Sequence, residues 1–80
     1  MNKLIKFSRV GCAPCVRLEN KLLSEDVTFA SYDVEANLEE VAKFGITAVP
    51  TLLLVNENEE VLGRTVGFDN AAIDELIEKL

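Results

Sequence analysis

Gly11-Cys12-Ala13-Pro14-Cys15 places two cysteines at the point where one hydrophobic period gives way to another. Before it, Lys3 to Ser8 carries Ile5 and Phe7 at a spacing of two, which predicts a strand broken by Val10-Gly11. After it, Cys15, Val16, Leu18, Leu22 and Leu23 fall within about 160° of a helical wheel. That spacing predicts an amphipathic helix over Ala13 to Ser24. Pro14 is tolerated in its first turn, where a missing N–H breaks no helical hydrogen bond.

Beyond this helix, Val27 to Val34 has Val27, Phe29, Tyr32 and Val34 among polar residues and reads as a second strand. Glu35 to Phe44 reads as a shorter helix carrying Leu38, Val41 and Ala42, ended by Gly45. Thr51-Leu52-Leu53-Leu54-Val55 is apolar without alternation, as expected of a strand buried on both faces. Asn56 to Glu59 is a polar turn, and Val61 to Val66 returns as a more polar strand, which makes a hairpin. Asp69 or Asn70 can cap a last helix with Ile73, Leu76, Ile77 and Leu80 on one face. The order is β-α-β-α-β-β-α. It predicts an α/β fold over residues 1–80 as a single domain, with a four-stranded mixed sheet flanked by three helices.

Composition narrows the function. The chain has 80 residues, 8 basic against 14 acidic, and a net charge of −6. So acidic a chain is a poor nucleic-acid binder, whose affinity comes from Lys and Arg on phosphates. The longest wholly apolar run, Leu52 to Val55, is too short to cross a bilayer, so no membrane partner is expected. No secretory signal is read at the start, where Lys3 and Lys6 interrupt the apolar residues, and a cytoplasmic monomer is expected. The charge is uneven. Residues 1 to 21 hold Lys3, Lys6, Arg9, Arg17 and Lys21 against Glu19 alone, a net +4, while the rest carries −10. Both cysteines lie in the basic segment.

A C-x-x-C pair can be a redox dithiol, half of a metal site, or two buried cysteines. Structural zinc usually needs four ligands, and this chain has no histidine and no third cysteine. No metal and no cofactor are expected. Two merely buried cysteines would explain neither the spacing nor the placement. At a helix start, unpaired backbone N–H groups and the positive end of the dipole favour a thiolate, the form that attacks disulfides. Arg9 and Arg17 are candidate cations for lowering the thiol pKa further. Cys12, ahead of the helix, is expected to be exposed and to act as nucleophile. Cys15 shares a face with Leu18 and Leu22 and is expected to be the resolving cysteine.

On these residues the chain resembles the thioredoxin superfamily, in a short form without the extra N-terminal strand and helix of full thioredoxins. The resemblance rests on strand-Cys12-Ala13-Pro14-Cys15-helix, on Ala48-Val49-Pro50-Thr51 opening the buried strand, and on Gly67 after the last strand. It implies a cis Val49–Pro50 bond facing the dithiol, with the Val49 backbone pairing with an extended substrate. It also implies substrate contacts at Ala13, Pro14, Pro50, Gly67 and Phe68, although by pattern alone Phe68 reads as a core or staple residue. Thioredoxins usually carry a tryptophan just before the first cysteine and a buried aspartate six residues before it. Those positions are Gly11 and Lys6 here. Lys6 is read as solvent-facing, the alternative being an amine near Cys15. Arg9-Val10-Gly11-Cys12 is similar to the glutaredoxin run into the dithiol, but the glutathione-site signature is reduced to Gly67 and Asp69.

The resemblance implies a dithiol–disulfide oxidoreductase that reduces disulfide-containing proteins. A thioredoxin-reductase-type flavoenzyme is the expected electron source, with glutathione as the alternative. Ribonucleotide reductase is one possible recipient, as for similar bacterial and phage redoxins. A non-catalytic redoxin-fold module that binds a partner or shares a metal is the third reading.

Overall fold

The computed structural model describes residues 1–80. Its elements run β1 (Lys3–Ser8), α1 (Ala13–Ser24), β2 (Phe29–Asp33), α2 (Leu38–Phe44), β3 (Thr51–Val55), β4 (Val61–Val66) and α3 (Asn70–Glu78). The strands lie in the order β2-β1-β3-β4. β1 is parallel to β2, and Lys6 sits beside Ser31 in that register. β3 is antiparallel to both β1 and β4, which gives the expected mixed sheet.

Because β1 and β3 are central, their side chains meet helices on both faces. On one face Leu4, Leu52 and Leu54 pack with Leu18 and Leu22 of α1 and with Ile73 and Leu76 of α3. On the other, Ile5, Phe7, Leu53 and Val55 pack with Phe44 of α2 and with Ile46. The period of two along each strand sorts these residues between the two clusters. All five residues of β3 are buried, as the unalternating apolar run predicts. Phe7 holds its cluster to α2 and β2, its ring centroid 6.0 Å from Phe44 and 5.5 Å from Tyr32. α3 approaches β4 closely at Gly63, where an added Cβ would stand 2.5 Å from Leu76 Cδ2.

Several expectations about element ends and faces are corrected. β2 begins at Phe29 and not Val27, because Val27 N–H donates to Leu22 O and closes the end of α1. α2 begins at Leu38 and not Glu35. Residues 33–37 form a turn in which Asp33 accepts from Glu35 N–H and from the Asn37 amide. Gly45 ends α2 as expected, at φ +63° in the left-handed region. Val16, Leu23 and Leu38, placed on buried helix faces by their periodicity, are exposed. The buried stripe of α1 is only Cys15, Leu18 and Leu22, and Val16 and Leu23 lie one residue, about 100°, around from it. Leu80 is also exposed, beyond the Lys79 cap of α3.

Candidate active site

The site is built where β1 hands over to α1. Cys12 is the N-cap of α1, with extended backbone angles, and Pro14 lies in the first turn. The Cys15 N–H donates to Cys12 Sγ at 3.3 Å, so the sulfur occupies the position of a capping oxygen. The two sulfurs form a disulfide, with the Cα atoms 5.2 Å apart. Cys15 is 3% exposed and Cys12 is half-buried, whereas Ala13 and Pro14 face solvent. Cys12, expected to be exposed, is therefore partly covered at the helix N-terminus, and Cys15 is enclosed against the sheet.

Two further segments complete the site. The Val49–Pro50 bond is cis, at the entry to β3. Thr51 Oγ1 donates to Ala48 O at 2.7 Å and closes this turn. Gly67 N–H donates to Pro50 O at 2.8 Å, which ties the residue after β4 to the cis turn. Phe68 packs partly buried against the α1–α3 cluster. The Arg17 guanidinium lies 4.3 Å from the centroid of its ring. Gly67 is thus tied to the cis turn at Pro50, and Phe68 to α1.

The basic segment is less free than its formal charge suggests. Lys3 pairs with Glu59 at 3.8 Å, Lys21 with Asp74 at 2.8 Å, and Lys6 with Glu19 at 2.8 Å. The hydrogen bond from Lys21 to Asp74 holds the lysine above its ordinary pKa of 10.5. Arg9 and Arg17 have no ion-pair partner, so the uncompensated positive charge of residues 1 to 21 rests on them. Arg9 is exposed and borders two cavities. The first, about 540 Å³, is lined by Val34, Val41, Ile46 and Thr47 to Val49. The second, about 240 Å³, reaches Cys15.

Lys6 overturns the expectation that it faces solvent. Its side chain is 4% exposed, and it lines the second cavity together with Cys15 and Glu19. The physical reason is its strand: β1 is central, so the residue between Leu4 and Ser8 is covered by α1. The buried ammonium is compensated by a hydrogen-bonded carboxylate, as burial of a charge requires. The partner was missed because Glu19 reads as a solvated charge in the linear sequence. Its position four residues after Cys15, on the same side of the helix, is the signal that could have found it.

A protein-family model for thioredoxin matches residues 2–79. A thioredoxin-like protein, YosR, derived from the SPbeta prophage of Bacillus subtilis, is 35% identical over 78 residues and matched across 98% of each chain. Thioredoxin of the same bacterium is 31% identical, covering 95% of this chain and 79% of its own length. The chain spans only 60% of the length of rice thioredoxin H5, at 32% identity. Among solved structures, Trichomonas vaginalis thioredoxin superposes with a TM-score of 0.80 at 35% identity, covering 98% of this chain and 78% of its own. No helix here is long and apolar enough to cross a membrane. With a disulfide-forming C-x-x-C pair at the head of α1 and a family match over nearly its whole length, the chain belongs to the thioredoxin family of thiol–disulfide oxidoreductases.

Proposed function

We propose that the protein reduces disulfides of other proteins in the cytoplasm, acting as a single-domain monomer with Cys12 as nucleophile and Cys15 as resolving thiol. The supporting observation is the asymmetry of the pair: a half-buried Cys12 whose sulfur accepts a helix N–H, and an enclosed Cys15 one turn on. In the reduced form the Cys12 thiolate attacks one sulfur of the target disulfide and releases the other as a thiol. Cys15 then displaces the remaining target sulfur from Cys12, closing the Cys12–Cys15 bond. The target gains two electrons and two protons, and the redoxin dithiol loses them.

In this reading an extended target segment pairs with the Val49 backbone beside Pro50. It also contacts Ala13 and Pro14 ahead of the buried thiol, and Gly67 and Phe68 across the site. The apolar cleft beside Val49 accepts a side chain flanking the target cysteine. Arg9 and Arg17 favour the Cys12 thiolate. A thioredoxin-reductase-type flavoenzyme returns electrons from NADPH, and ribonucleotide reductase is one recipient whose turnover would consume them.

Insulin reduction tests the reading. Turnover is expected with NADPH and a thioredoxin reductase, and several-fold slower turnover when glutathione and its reductase replace them. No turnover with either donor overturns the activity. Faster turnover with glutathione overturns the assigned donor and makes the protein a glutaredoxin-like enzyme.

A further inference from the structure

The cavity that reaches Cys15 is polar on a side of the molecule that is otherwise packed with leucine. Its floor is the α1-facing side of two paired strands, Lys6 and Ser8 of β1 with Ser31 and Asp33 of β2. Its roof is Cys15, Val16 and Glu19 of α1, and Arg9 stands at its rim. The charged groups around Cys15 are therefore Lys6 and Arg9, and Glu19 and Asp33. The Thr47–Pro50 segment carries no titratable side chain. Asp33 is engaged by the Glu35 N–H at 2.8 Å, and Arg9 is exposed. Lys6 is the one enclosed charge, its side chain 4% exposed against 46% for Glu19. An enclosed charge acts through a low effective dielectric, whereas a half-exposed one is screened by water.

A buried thiol resists ionisation, since burial disfavours the charged form. The resolving step nevertheless needs the Cys15 thiolate. We propose that the Lys6 ammonium, which donates a hydrogen bond to Glu19, stabilises the Cys15 thiolate and so sets the rate of the resolving step. This rests on the reading that Cys12 attacks and Cys15 resolves. In the step itself the Cys15 proton leaves to water and the thiolate attacks Cys12 Sγ of the mixed disulfide. The Cys12–Cys15 bond forms, the bond to the target breaks, and the target sulfur departs with the electron pair and takes a proton from water. Lys6 keeps its own proton throughout. It is a positioning residue that acts by its field.

The reaction of the reduced protein with 5,5′-dithiobis(2-nitrobenzoate) separates the two steps, because attack and resolution each release one coloured thiolate. Lys6→Met is expected to slow the second release roughly tenfold at pH 7 and to move its pH midpoint up by about one unit. The first release should change less than about twofold. Lys6→Arg should restore most of the second phase, since it restores the charge. Glu19→Gln leaves the ammonium in place and should not slow the second release. Lys6→Gln provides a second neutral variant should the methionine variant fold poorly. An unchanged second phase in the neutral variants overturns the proposal, as does equal slowing of both phases. Slowing by Glu19→Gln to the level of Lys6→Met also overturns it and assigns the role to the carboxylate. A wild-type protein with no first release, or a Cys15→Ser variant that releases two equivalents, would instead refute the assignment of the two cysteines.

Discussion

One turn of helix gives two chemically identical side chains different environments. Cys12 caps α1 and accepts the Cys15 N–H at 3.3 Å, while Cys15 lies on the stripe that buries Leu18 and Leu22. That division was legible in the sequence, because the period of 3.6 places Cys15 with the leucines and leaves Cys12 ahead of the helix. Lys6 was not, because burial on a central strand depends on which helix covers it, and the strand's own alternation does not say. Arg9→Glu is expected to raise the Cys12 pKa by roughly half a unit to one unit at low salt, an effect that fades as salt rises. Thiolate absorbance followed against pH in a Cys15→Ser background measures it. Arg17→Ala should do less to the pKa, since its guanidinium is held over Phe68, and should cost instead the packing of that ring.

Helix and strand order were readable throughout, since each element carries its own period and the punctuation between elements is chemically explicit. Element ends were less so. The turn over residues 33–37 looks helical by composition, but Asp33 binds the Glu35 N–H and the Asn37 amide locally and delays α2 to Leu38. The same chemistry works in favour of α3, where the Asp69 side chain accepts from the Ala72 N–H at 3.2 Å. α3 brings Ile73 and Leu76 to the sheet, so a loosened start weakens one face of the core. Asp69→Ala is expected to lower stability by about 1 kcal/mol. Gly45→Ala forces a Cβ into the left-handed region at φ +63° and is expected to lower it by about 1–2 kcal/mol. Urea denaturation of each variant checks both values, with an unchanged slope distinguishing lost stability from an altered denatured state.

At the level of the whole molecule, the uneven charge is partly closed by folding. Glu59, in the turn between β3 and β4, pairs with Lys43 of α2 and with Lys3 of β1. The hydrogen bond from Lys43 holds its carboxyl below the ordinary value of 4.5. A depressed carboxyl contributes stability that is fully present above pH 4.5 and is lost as pH falls through its folded value. Lys43, raised above 10.5 by the same bond, contributes below that pH and ceases to do so as the lysine deprotonates in more alkaline solution. Glu59→Gln is expected to flatten the acid limb of a plot of melting temperature against pH, by a small amount because the pair is exposed. What folding leaves uncompensated in the first segment is Arg9, at the rim of the cavity that reaches Cys15, and Arg17, over the Phe68 ring, on an otherwise acidic molecule. The division of labour between the two cysteines is open to trapping. Reduced Cys15→Ser and Cys12→Ser variants, each mixed with a disulfide-containing protein, are resolved by mass spectrometry of the intact adducts. A one-to-one mixed disulfide through Cys12 is expected in the first variant and none in the second; capture by the second variant, or by neither, rules out Cys12 as nucleophile with Cys15 resolving.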